Sequence, residues 1–172
     1  MNSHINLPLF KKLLLPFFLF ISAIILYIPA NAQEQPPKPI LVVSTAQYLS
    51  FGIFIQNGAY GTVTVTPNGV RSATGSIILP MMSSIISPAL FVVKAIPGTI
   101  ITIQPIPDAS LTTSNGVTPI KLVFDAYSYQ SPLITTGVDT EVRIGGTLIV
   151  NSLTANPAGA YSGTFSVTFI QQ

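Results

Sequence analysis

The sequence predicts an all-β chain, an antiparallel sandwich or barrel of about eight to ten strands. Three observations carry this. A phrase occurs twice: Gly58-Ala59-Tyr60-Gly61-Thr62-Val63-Thr64-Val65 returns as Gly159-Ala160-Tyr161-Ser162-Gly163-Thr164-Phe165-Ser166-Val167, with one residue inserted. Gly146-Thr147-Leu148-Ile149-Val150 is a third echo that lacks the tyrosine. Each copy is a glycine break followed by an alternating Thr/Val-rich run, the pattern of a half-buried strand. Turn signals also recur at the spacing of short strands. Beyond residue 32, no segment sustains a 3.6-residue apolar period over four turns. The stretches between the copies are dissimilar, so the doubling marks strands that start alike and not a duplicated domain.

Residues 1–32 read as a cleaved secretory signal. Lys11 and Lys12 supply a positive region, residues 13–29 are uncharged and mostly apolar, and Ala30-Asn31-Ala32 offers a small-x-small cleavage site. The run is short against the roughly 20 residues of a spanning helix, and Pro16 interrupts it. A retained membrane anchor is the alternative. Cleavage after residue 32 of 172 leaves 140, the size of one domain. The expected organisation is a signal over 1–32, a proline-rich leader over 33–39 and a single β-sandwich domain over 40–172.

The elements follow in order. Gln33-Glu34-Gln35-Pro36-Pro37-Lys38-Pro39 has three prolines, which disfavour a helix and remove ladder donors. Residues 40–46 are strongly β-forming. Residues 49–55 read as the next strand, with Gly52 as a bulge or point of close approach. Residues 60–66 alternate, with Val63 and Val65 on one face and Thr62, Thr64 and Thr66 on the other. Pro67-Asn68-Gly69 is turn chemistry, and residues 70–79 return. Residues 80–88 are irregular. Residues 90–96 and 99–104 are strands about a Pro97-Gly98 turn, with Ile101 and Ile103 on one face. Residues 108–114 hold a short edge strand closed by Asn115-Gly116. Residues 120–127 form a strand with Ile120, Leu122, Phe124 and Ala126 inward. Residues 130–139 are loop-like, 140–151 a strand kinked at Gly145-Gly146, and 158–170 the last strand. The strands are short for an outer-membrane barrel.

Composition narrows the chemistry. Lys11 and Lys12 leave with the signal, so five basic residues face five acidic ones, scattered singly. That balance makes no case for nucleic acid or anionic lipid, which need clustered Lys/Arg. Cysteine is absent and the one histidine, His4, lies in the signal. Ser-His-Asp and Cys-His catalysis therefore have no residues in the exported chain, nor do the zinc and copper sites that favour those ligands. Asp139 and Glu141 share one face of an extended segment, so calcium coordination is conceivable there. A solvated strand entrance is the plainer reading. The Thr62/Thr64/Thr66 stripe resembles an ice-ordering row, but β-branched residues favour a pleated face without that role. The expectation is no enzyme, with no catalytic, cofactor-binding or metal-ligating residue and no cofactor.

The phrases assemble into an ordered set: Phe51-Gly52; Gly61 to Val65 with Pro67, Gly69, Arg71 and Gly75; Ala89, Phe91 and Val93; Pro97-Gly98; Gly145-Gly146-Thr147-Leu148; and Gly159 with Tyr161-Ser162-Gly163-Thr164-Phe165, Val167 and Thr168. This set resembles the secreted bacterial family catalogued as domain of unknown function 4402. Ala95 departs from the glycine expected there. The resemblance implies an immunoglobulin-like, pilin-like sandwich related to spore-coat-U-like subunits, exported to the periplasm or cell surface of a bacterium. The expected function is a non-catalytic structural or adhesive surface protein, a fimbria-like subunit assembling through sheet edges. Its expected partner is another copy or a strand-exchange protein, with residues 40–46 either self-paired or donated. The alternative is a monomeric secreted module that binds a glycan or a protein.

Overall fold

A computed structural model describes residues 41–82, 84–114, 118–125 and 128–172. All of them belong to one unit, Pro39–Gln172. The signal (1–32), the leader (33–39), the start of the domain at Ile40, the turn at Asn115-Gly116 and the inward Ala126 lie outside the described residues.

Eleven strands occur among the described residues, with no helix. They are β1 (Val42–Gln47), β2 (Ile55–Val65), β3 (Arg71–Ile78), β4 (Ala89–Lys94), β5 (Ile100–Ile103), β6 (Ala109–Leu111), β7 (Ile120–Val123), β8 (Leu133–Ile134), β9 (Thr140–Ile144), β10 (Gly146–Val150) and β11 (Phe169–Gln171). Every pairing is antiparallel. The strands form three sheets, ordered β1-β4-β9, β3-β2-β10-β7-β6 and β11-β5-β8.

The β2–β3 hairpin shows how sequence sets the geometry. The Gly69 N–H donates to Thr66 O and the Thr66 N–H to Val70 O, both at 2.9 Å. Gly69 sits at φ 78°, a conformation that favours glycine. Val63 and Val65 are then wholly buried while Thr62 faces outward, its hydroxyl 2.6 Å from that of Thr74. The first copy of the doubled phrase holds a bulge: register shifts between Gln56 and Gly61. Gly75, at φ 65°, lies opposite, and a Cβ there would meet Tyr60 O at 2.6 Å. The bulge therefore rests on a glycine that lets two backbones touch.

The Gly145-Gly146 kink is where the chain changes sheets. β9 pairs with β4, and β10 pairs with β2 and β7. A Cβ on Gly145 would strike the backbone at Val65 O and lie 2.9 Å from Thr66 C. This crossing divides the interior in two. One cluster gathers Val63, Val65, Ile77, Ile120, Leu122, Leu148, Val150 and Phe51 on the inner face of the five-stranded sheet. The other gathers Ala89, Val93, Ile101, Ile103, Ile106, Val142 and Ile144. Leu49, Phe124 and Phe165 pack against both.

Three elements differ from the sequence reading. Residues 49–54 are no strand; only Ser50 pairs, as an isolated bridge to Ser87. Gly52 at φ 66° turns the backbone out of ladder geometry. The closing strand forms a ladder only over Phe169–Gln171 and a bridge between Ser162 and Thr112. Opposite the gap stand Pro105 and Pro107, which have no N–H to offer. The loop at 130–139 holds the two-residue β8, paired with β5.

Candidate functional site

The titratable groups of the described residues do not converge. Asp139 pairs with Lys94 at 3.2 Å, Asp108 with Lys121 at 2.6 Å and Glu141 with Arg143 at 2.7 Å, each about half exposed. Asp139 and Glu141, the candidate calcium pair, are thus drawn to different cations. The Ser128 hydroxyl donates to Asp125 Oδ1 at 3.1 Å. Among the described residues, no three acidic, His or Cys side chains cluster as a metal site would require.

What the fold does build is a groove. Its wider part, about 800 Å³, runs between residues 49–56 on one side and 156–161 on the other. A second part of about 380 Å³ continues between residues 45–51 and 161–165. Leu49, Phe51, Leu111 and Tyr161 line both parts, so the two join. Ile120, Leu148 and Val150 floor the first part and Leu122, Ala89 and Phe91 the second. These are side chains of the five-stranded sheet and of β4; Phe91 is half-buried and the other five are buried. Among the described residues, no Asp, Glu, Lys or Arg lines either part.

The rims are backbone. β1 is the outer strand of its sheet, paired with β4 on one side only. All six of its residues are exposed, including Val42 at 49% and Val43 at 38%. Beyond it, the Phe51 and Ile53 carbonyls accept from Arg71 Nη1 at 3.0 and 2.9 Å, which pins that rim from behind. The opposite rim is the terminal segment. The Ser162 N–H and C=O pair with Thr112, and Thr168 O accepts from the Gln104 N–H, all on the side of β5 and β6. Alternation along an extended chain therefore turns the N–H and C=O of Gly163, Phe165 and Val167 to the other side, where Gly163 and Phe165 line the groove. Among the described residues, none hydrogen-bonds to the backbone of residues 163–167.

The side chains of this segment alternate as the sequence indicated. Tyr161, Phe165, Val167 and Phe169 are half-buried and pack on the two clusters. Phe165 lies 4.9 Å from Phe124 and Phe169 5.7 Å from Phe91, ring centre to ring centre. The Tyr161 hydroxyl donates to Pro157 O at 2.8 Å, and burial raises its pKa above the ordinary tyrosine value. Gly163 is needed because a Cβ there would meet Ser110 O and lie 3.2 Å from Leu111 Cα. The sequence signalled the inward row. It did not signal the groove, whose other rim reads as a strand.

The model of the family described as "Domain of unknown function (DUF4402)" matches residues 41–170. The chain belongs to that family. The match takes in every strand but the last residue of β11, and so both rims of the groove. No curated protein and no solved structure matches this DUF4402 chain. No helix among the described residues is long and apolar enough to cross a membrane.

Proposed function

We propose that this DUF4402 protein is an exported, non-catalytic structural or adhesive surface protein of a bacterium, assembling through its sheet edges as a fimbria-like subunit. On this reading the fold is an immunoglobulin-like sandwich, pilin-like in that one strand position stands open. The observation that carries it is the groove between the edge of β1 and the terminal segment, where among the described residues no charged side chain lines the groove and none hydrogen-bonds to the backbone of residues 163–167. Exposed strand edges are templates for pairing, and domains that do not use them usually blunt or cover them. Here β1 carries no charged residue and no proline along Val42–Gln47, so nothing on it discourages a further strand. The signal-like segment at 1–32 supports export.

The test is on intact cells. Surface protease should reach the chain, and a short amine- or thiol-independent photocrosslinker placed at Thr164 should join it to another polypeptide. A chain confined to the cytoplasm, or one exported yet never joined to any polypeptide, would overturn the reading. The monomeric binding module has one observation in its favour. A separate hollow of about 300 Å³ is lined by Asn68, Tyr129, Gln130, Glu141 and Arg143, hydrogen-bonding groups beside an aromatic ring, as a glycan site requires.

A further inference from the structure

Charge is distributed unevenly along this chain. Between Pro39 and Lys94 the sequence holds one charged side chain, Arg71, and its guanidinium is bonded to the Phe51 and Ile53 carbonyls. The three ion pairs stand elsewhere, on or beside β4, β9, β6 and β7. We infer that an apolar surface in the uncharged part, formed by Ile53, Ile55, Ile78, Met81, Met82 and Ile85, docks a second copy of this chain, patch to patch about a two-fold axis. The contact is made by side chains, so it goes beyond the sheet-edge reading above and does not depend on it.

The surface is built by alternation and by a pinned loop. Phe54 packs on the core, and Ile53 and Ile55 on either side of it are exposed. Ile55 pairs directly with Ile78, so these two share an outer face while Ile77 is buried beneath. The loop after β3 adds the rest. Leu79 and Ile86 pack on the same core and hold its two ends. Between them Met81 is fully exposed, Ile85 80% and Met82 65%. The base of the loop is fixed: Ser50 and Ser87 exchange backbone hydrogen bonds at 2.8 and 3.0 Å, and the Ser50 hydroxyl donates to Ile85 O at 2.7 Å. A Cβ on Gly52 would lie 2.6 Å from Ser84 Oγ and 3.1 Å from Ile86 Cγ1, so the loop lies against the segment that carries Ile53. The six side chains thus belong to one continuous surface.

Its area and its chemistry both point to a second copy. At about 200 Å² for a fully exposed side chain of this size, the six leave about 700 Å² uncovered, more than the roughly 300–600 Å² of the largest patch on a typical monomer. Each partner in a standard interface contributes about 800 Å². In a two-fold contact a patch meets itself, so like charges in it would repel. These six residues and their sequence neighbours offer no such charge. Met81 and Met82 are the only methionines beyond Met1, and their unbranched thioethers adapt to the surface that faces them. A lipid surface also takes apolar loops, but membrane-docking faces add Lys and Arg for the headgroups, and the one cation here is already bonded.

The experiment is sedimentation velocity on the protein purified after export, over about 1–100 μM. The inference predicts a monomer–dimer equilibrium within that range. Met81→Glu, Met81→Lys and Ile85→Glu should each weaken the dimer about tenfold or more, and an equimolar mixture of Met81→Glu and Met81→Lys should recover it. Met81 and Ile85 are exposed, so the variants should fold as the parent does. Val138→Glu, at an exposed site outside the patch, should dimerise like the parent. Equal weakening by Val138→Glu would make the effect one of net charge and overturn the inference. A dimer that the patch variants leave intact is made elsewhere; it would overturn this contact while sheet-edge assembly stood. A mixture no tighter than either variant alone would show that the patch does not face its own copy, and would overturn it as well. So would a parent that stays monomeric at about 100 μM; its flotation with phosphatidylcholine vesicles, abolished by Met81→Glu, would then assign the patch to lipid.

Discussion

Gly145 is the point at which the two halves of the interior are joined, so a single methyl there should be felt by the whole fold. In Gly145→Ala the new Cβ meets the backbone of residues 65–67: Val65 O, Thr66 C at 2.9 Å and Pro67 N at 3.0 Å. None of these can swing away as a side chain would. Overpacking of this kind costs about 1–3 kcal/mol. Restricting the unfolded chain returns only about 0.4–1 kcal/mol. The net loss should be about 1–2 kcal/mol, since β9 and β10 must part from β2 at the crossing. Gly146→Ala is the built-in control. Its Cβ would meet Leu122 Cδ1 at 2.8 Å and then Phe124 and Leu49 atoms at 3.4 and 3.5 Å, the ends of side chains that can give. Its loss should stay under about 1 kcal/mol. Urea denaturation of both variants and the parent measures the difference. With a slope of about 1–2 kcal/mol per molar, the Gly145 variant's midpoint should fall by about 1 M and the Gly146 variant's by less than half that. Equal midpoints, or a larger fall for Gly146→Ala, would refute the assignment of the crossing to Gly145.

Two further outcomes are expected. Arg71→Met keeps the apolar stem but removes both hydrogen bonds to the Phe51 and Ile53 carbonyls. Water replaces part of what is lost at this half-exposed site, so unfolding should become easier by about 1–2 kcal/mol, and amide exchange over residues 51–54 should quicken. Tyr161→Phe removes the donor to Pro157 O and should cost about 0.5–1.5 kcal/mol at neutral pH. Burial raises the Tyr161 pKa in the folded state, so above about pH 10 the unfolded chain loses this proton more readily than the folded one. Stability should therefore be fully present below pH 10 and decline above it, and denaturation at pH 8 and 11 should show that decline lessened in Tyr161→Phe.

Much of this architecture is legible in the sequence because strand signals are local. Val63 and Val65 alternate with threonines, and the structure buries the valines and leaves the threonines half-buried on the other face. Pro67-Asn68-Gly69 announces the hairpin turn, and Gly145-Gly146 announces a kink. That this kink transfers the chain between sheets is not legible, because it depends on which strands arrive at Val65 and Leu122. The Leu49–Ile55 run has strand composition, yet Gly52 at positive φ and the pull of Arg71 on the Phe51 and Ile53 carbonyls keep residues 49–54 out of any ladder. The closing run from Ala158 alternates faithfully and still lacks a ladder over residues 163–167, since its would-be partner carries Pro105 and Pro107. A groove is the absence of a neighbour, and periodicity within a strand says nothing of who sits beside it.

The central claim is that the N–H groups of Gly163, Phe165 and Val167 are an open edge. Residue-resolved amide hydrogen exchange on the monomeric protein tests it most directly. The account predicts that these three amides exchange nearly as fast as an unstructured chain, while the β5–β11 ladder at Thr102 and Ile170 is protected. Protection at residues 163–167 equal to that of the ladder would mean that the edge is already occupied, and would contradict the account.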